Sequence, residues 1–124
     1  MANTERGALD EGDLLLSKAL VGGEWVTGEK QPIAIEDPFT LDQFGEVPNL
    51  GAEETHQAID AAEAALPAWA GKTAAERGKV LRRWFELIET HRDDLARLIT
   101  RENGKTFSEA QGELDYGGGF MEFY

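Results

Sequence analysis

After Gly51 the spacing of apolar residues changes from about two to about 3.6, which divides the chain into a strand-forming part and a helical part. In the first part, Val21-Gly22-Gly23-Glu24-Trp25-Val26 places two glycines between apolar flanks, the signal of a two-residue hairpin turn. Ile33-Ala34-Ile35-Glu36-Asp37 reads as a further strand, because Pro38 pushes the residue before it out of the helical region. Phe44-Gly45-Glu46-Val47-Pro48 reads as another, and Gly28, Pro32 and Pro38 supply turn punctuation.

Four helices are expected beyond Gly51. Ala58, Ile59, Ala62, Leu66 and Trp69 form the apolar side of the first, with Glu53 and Glu54 at the end where a helix favours negative charge. Pro67 is expected to end it, leaving Trp69 in the connection. Thr73-Ala74-Ala75-Glu76 matches a capping box, and Val80, Leu81, Trp84, Leu87 and Ile88 then make one apolar stripe. The third helix runs from about Asp93 to Glu102, with Leu95, Leu98 and Ile99 inward and Gly104 at the left-handed C-terminal position. A second capping box, Thr106-Phe107-Ser108-Glu109, opens the fourth, which continues through Ala110, Leu114 and Tyr116.

Residues 1–19 read as a flexible tail with a short apolar lead-in from Leu14, and residues 20–124 as one unit. Phe120, Met121, Phe123 and Tyr124 crowd four large apolar groups into the last five residues, with no cap and no basic last turn. A chain patterned in this way is expected to be the beginning of something longer.

Composition removes several functions. A net charge of −12 argues against nucleic-acid partners and against an anionic membrane surface, both of which need clustered lysine and arginine. The absence of cysteine leaves these residues without a thiol nucleophile, a disulfide or a thiolate metal site. With 41% hydrophobic residues the chain has enough apolar material to fold, yet no apolar run long enough to span a bilayer. The N-terminus is neither a secretory signal nor an arginine-rich presequence, so the cytoplasm is the expected compartment, with mitochondria left open.

Little chemistry is visible in the residues themselves. His56 and His91 are separate and lie in polar surroundings, which favours solvated surface histidines over metal ligands. Gly117-Gly118-Gly119 matches neither phosphate-loop template and follows no strand, so a crowded backbone contact or a kink is the plainer reading. No catalytic, cofactor-binding or metal-ligating residue is assigned.

From Gly22 onward the order of elements resembles the N-terminal part of the NAD(P)-dependent aldehyde dehydrogenase superfamily. The residues that carry the resemblance are Gly22-Gly23-Glu24-Trp25-Val26, Asp37-Pro38-Phe39-Thr40, Gly45-Glu46-Val47-Pro48 and the Ala58–Trp69 stretch. Arg77 with Leu81, Leu95-Ala96-Arg97-Leu98, Glu102-Asn103-Gly104-Lys105, and Glu109-Ala110 with Glu113 follow in the family's order. Through Gly45-Glu46-Val47-Pro48, Arg82-Arg83-Trp84-Phe85 and Gly112-Glu113-Leu114-Asp115-Tyr116 the look is nearest to succinate-semialdehyde dehydrogenases.

The resemblance implies an α/β fold with a Rossmann-type cofactor domain, of which this segment is a short β-hairpin region followed by about four α-helices. It also implies aldehyde oxidation through a cysteine, with NAD or NADP taking the hydride, and a homo-oligomeric enzyme acting on a small aldehyde such as succinate semialdehyde. The family's nucleophile, base and cofactor turn all lie later in its sequence. The chain alone is therefore expected to bind neither cofactor and to be inactive, with a short acidic interaction module as the alternative. In the family the last helix runs beside the substrate tunnel, which makes Tyr116, Phe120 and Phe123 candidates for tunnel lining, with core packing as the competing role. Leu41-Asp42-Gln43-Phe44 departs from the family by replacing its usual glycine turn.

Overall fold

The structure is a computed structural model and describes residue 9 and residues 12–123. Most of the expected tail, and Tyr124 at the other end, fall outside the described residues. A single 3-10 turn at Gly12–Leu14 precedes the first strand.

Two antiparallel hairpins come first. Strands β1 (Ala19–Val21) and β2 (Glu24–Val26) pair with Leu20 opposite Trp25. Gly22 and Gly23 both take positive φ, 60° and 87°, as the tight turn requires. Strands β3 (Ile33–Glu36) and β4 (Gln43–Val47) form the second hairpin, with a register irregularity between Ile35 and Glu36. Its loop is closed by Asp37, which is buried: its Oδ1 accepts from the Phe39 amide, its carbonyl accepts from Leu41, and its amide donates to Asp42. At the end of that loop Leu41 has φ 64°, the one non-glycine with positive φ among the described residues. The departure noted from sequence thus falls on a backbone position that glycine tolerates and leucine does not.

The four helices are α1 (Ala52–Ala70), α2 (Ala74–Thr90), α3 (Arg92–Asn103) and α4 (Phe107–Phe123). Pro67 does not end α1, and Trp69 lies within the helix rather than in the connection. Pro67 forfeits its own amide bond and crowds the carbonyl of Glu63, yet the helix continues for one more turn and closes with the Gly71 amide on the Pro67 carbonyl at 2.9 Å. The start of α1 is half a capping box: Glu54 Oε2 accepts from the Gly51 amide at 2.8 Å, while Gly51 has no side chain to return the bond. The boxes of α2 and α4 are complete. The Thr73 amide donates to Glu76 Oε2 (2.8 Å) and the Glu76 amide to Thr73 Oγ1 (3.3 Å). Thr106 and Glu109 repeat the exchange at 3.2 and 3.3 Å.

Helices α2, α3 and α4 pack together, α3 also touches β3, and α1 rests on β1. The residues buried from solvent are small or polar: Asp37, Asp94, Ala96, Thr100, Ala110 and Gly118. Asp94 is paired with Arg97 at 2.7 Å. The expected single stripe on α2 is divided. Leu81 and Ile88 are half-buried together with Phe85, whereas Val80, Trp84 and Leu87 face solvent. The physical reason is that α2 has one narrow contact, with α3 and α4, and a stripe wider than that contact leaves its far edge uncovered.

Candidate functional site

Helix α4 carries the candidate residues, and its orientation is set near its middle and near its C-terminal end. Near its middle, Arg92 at the start of α3 donates to Asp115 Oδ1 (2.6 Å) and to the Gln111 carbonyl (3.1 Å), while pairing with Glu89 at 3.0 Å. The hydrogen bond it donates to Asp115 holds the Arg92 guanidinium above its ordinary pKa. Farther along, Arg82 on α2 reaches Glu122 at 3.2 Å. Between these clasps Gly118 meets Phe85: a Cβ built there would lie 3.3 Å from the Phe85 ring. Gly117 and Gly119 have open space at the same point, and the helix is unbroken from Phe107 to Phe123. Of the two readings of the glycine triplet, the crowded contact holds, at Gly118 alone. Because the triplet lies inside a continuous helix, its amides belong to the helical ladder and offer no phosphate cradle.

With Gly118 and Leu114 turned toward the bundle, the opposite side of α4 faces out. Tyr116 and Phe120, one turn apart, meet edge to face with ring centroids 5.0 Å apart and an interplanar angle of 85°. Phe123 follows one turn further along the same side. The three are 71%, 50% and 81% exposed in this chain. The side of α4 that packs was already filled by Ala110, Leu114, Gly118 and Met121, none of which is aromatic.

Sequence reasoning missed what surrounds Tyr116. Lys105, Glu109, Gly112, Glu113 and Tyr116 line an open groove of about 470 Å³ along the outer face of α4. Lys105 Nζ donates to Glu113 Oε1 at 2.5 Å across it. The spacing of residues 109, 112, 113 and 116 on one helix face was the available signal. Glu109 is held below the ordinary carboxylate range, first by the Thr106 hydroxyl, then by the Thr106 amide and the charge of Lys105. It is a capping group rather than a proton carrier.

The two histidines are far less organised. His56 is exposed on α1, and His91 is half-buried at the α2–α3 junction, where its backbone continues both helices. Among the described residues no three metal-ligating side chains gather, and no helix is long and apolar enough to cross a membrane.

The two hairpins and four capped helices recur in known proteins. The aldehyde dehydrogenase family matches residues 25–124, and the chain belongs to that family. It is 46% identical over 117 residues to the succinate-semialdehyde dehydrogenase of Escherichia coli, named for NADP(+), and 45% identical over 117 residues to a glutarate-semialdehyde dehydrogenase of Pseudomonas putida. Each alignment covers 94% of this chain and 24% of the relative. The crystal structure of succinate-semialdehyde dehydrogenase from Burkholderia pseudomallei superposes with a TM-score of 0.89 at 44% identity, again over 94% of this chain and 24% of that one. The chain thus has the aldehyde dehydrogenase fold and spans about a quarter of the length of the relatives it matches.

Proposed function

We propose that this chain is the opening part of an NAD(P)-dependent enzyme that oxidises a small aldehyde carrying a distal carboxylate, succinate semialdehyde being the leading substrate. The observation that carries this reading is the 46% identity to a succinate-semialdehyde dehydrogenase over nearly the whole chain. The share contributed here, residues 20–124, is scaffold. It contains no cysteine to attack an aldehyde, and the resemblance places the cofactor turn later in the family's sequence, so in this reading the 124 residues alone neither bind cofactor nor turn over. The complete enzyme is a cytoplasmic homo-oligomer in this reading.

Tyr116, Phe120 and Phe123 are the residues of this chain nearest to chemistry. Their exposure supports a face that something else completes, and in this reading the remainder of the enzyme closes over them to wall the substrate tunnel. Denatured mass spectrometry of the natural gene product, with peptides assigned to this sequence, tests the proposal. A species several-fold heavier than 13.6 kDa whose peptides extend beyond residue 124 supports it. A product of 13.6 kDa contradicts it and turns attention to binding, with capture of a specific partner as the expected activity.

A further inference from the structure

Asn103 and Gly104 form the one Asn-Gly pair in the sequence, whose other asparagines, Asn3 and Asn49, precede threonine and leucine. Asn-Gly is the dipeptide at which the following amide nitrogen most easily reaches the asparagine side chain, because glycine adds no Cβ to obstruct it. Both residues are exposed, at the surface turn between α3 and α4. Yet the nitrogen that would attack is occupied. Gly104, with φ 83°, donates its N–H to the Thr100 carbonyl at 2.9 Å, the single bond that closes an αL helix cap. Pro38 stands behind the turn, 3.0 Å from where a Cβ on Gly104 would be.

We propose that Asn103 is a deamidation site gated by the α3 cap. When the cap opens, the Gly104 nitrogen loses its proton to solvent and attacks Asn103 Cγ. The C–N bond of the side-chain amide then breaks, ammonia leaves, and a five-membered succinimide remains. Water opens that ring at either carbonyl, giving aspartate or isoaspartate, with no oxidant or further reactant required. Either product puts a negative charge at the C-terminal end of α3, where the helix dipole opposes it. Isoaspartate also lengthens the backbone of the turn that aims α4. The modification therefore bears on the helix that carries Tyr116 and Phe120.

The test follows conversion at each asparagine by peptide mass spectrometry, on the natural gene product held at mildly alkaline pH, folded and in denaturant. Asn103 is expected to convert first among Asn3, Asn49 and Asn103 in denaturant, and about tenfold or more slowly in the folded protein, a ratio that corresponds to a cap opening free energy of about 1.4 kcal/mol. Thr106→Ala weakens the neighbouring α4 cap without touching the reacting atoms. It should speed folded-state conversion severalfold and leave the denatured rate unchanged. Asn103→Gln, whose longer side chain forms the ring poorly, should abolish the conversion. Equal rates in folded and denatured protein, a folded rate that Thr106→Ala does not move, or faster conversion at Asn49 than at Asn103 in denaturant would each overturn the proposal.

Discussion

Leu41 shows how a single residue can be read from sequence as a departure and from structure as strain. Its φ of 64° lies in the left-handed region, which costs a leucine roughly 1–2 kcal/mol. The side chain is 74% exposed, so packing returns little of that. Leu41→Gly is expected to stabilise the chain by about 1 kcal/mol, after allowing for the extra freedom of glycine in the unfolded state. Chemical denaturation of the two forms measures it, and a loss of stability would mean that Leu41 makes a contact worth more than its backbone strain. Gly104 is the converse case, a glycine already placed where φ is 83° and where Pro38 leaves no room for a Cβ. Gly104→Ala should cost about 1–3 kcal/mol by the same measurement.

At the scale of elements, start signals were legible and stop signals less so. Thr73 with Glu76 and Thr106 with Glu109 were readable because a capping box is local chemistry, complete within four residues. Pro67 misled because a proline weakens the turn before it without necessarily ending the helix, and here α1 runs on to Ala70. The glycine triplet could not be resolved from sequence, since whether a glycine is needed depends on a neighbour 33 residues away in the chain, Phe85 against Gly118. That assignment predicts a pattern. Gly117→Ala and Gly119→Ala should each stabilise α4 by about 0.8–1 kcal/mol, whereas Gly118→Ala gains nothing or loses. Thermal melts of the three variants distinguish them, and equal gains at all three would remove the role given to Gly118.

The capping carboxylates also give the elements a pH dependence. Glu76 and Glu109 are held below the ordinary value of 4.5 chiefly by the hydroxyls of Thr73 and Thr106, and Glu54 by backbone hydrogen bonds at its own residue and at Gly51. Protons bind more tightly to these groups in the unfolded chain than in the folded one. The stability they contribute is therefore present above about pH 4.5 and lost as pH falls through their lowered folded-state values. Glu76→Ala and Glu109→Ala should lower helix stability near neutral pH and reduce its fall in acid, as followed by circular dichroism. An unchanged acid profile would show that other carboxylates govern it.

On the scale of the whole molecule, a chain with small and polar residues at its centre leaves Trp84, Tyr116, Phe120 and Phe123 on the outside. The order of elements and the family were legible in the sequence, because short motifs recurred in one order over a hundred residues. The aromatic face of α4 was legible only as a set of candidates. Spacing placed Tyr116, Phe120 and Phe123 on one side, but which side α4 turns to the bundle is decided by Gly118 and by the Arg92 and Arg82 clasps from other helices. If the face walls a substrate tunnel, Tyr116→Ala and Phe120→Ala in the complete enzyme should raise KM for the aldehyde severalfold with little change in melting temperature, since a ring that lines a tunnel faces substrate rather than packed neighbours. A large loss of stability with KM unchanged would instead make the face a packing surface.

In the function proposed, these residues scaffold an aldehyde dehydrogenase whose chemistry lies elsewhere. The most direct test mixes succinate semialdehyde with NAD(+) or NADP(+) and follows reduced nicotinamide by absorbance, once with the natural gene product and once with the purified 124-residue chain. Steady formation is expected from the natural product and none from the chain. Reduced nicotinamide formed by the 124 residues, or none formed by the natural product with any small aldehyde, would contradict it.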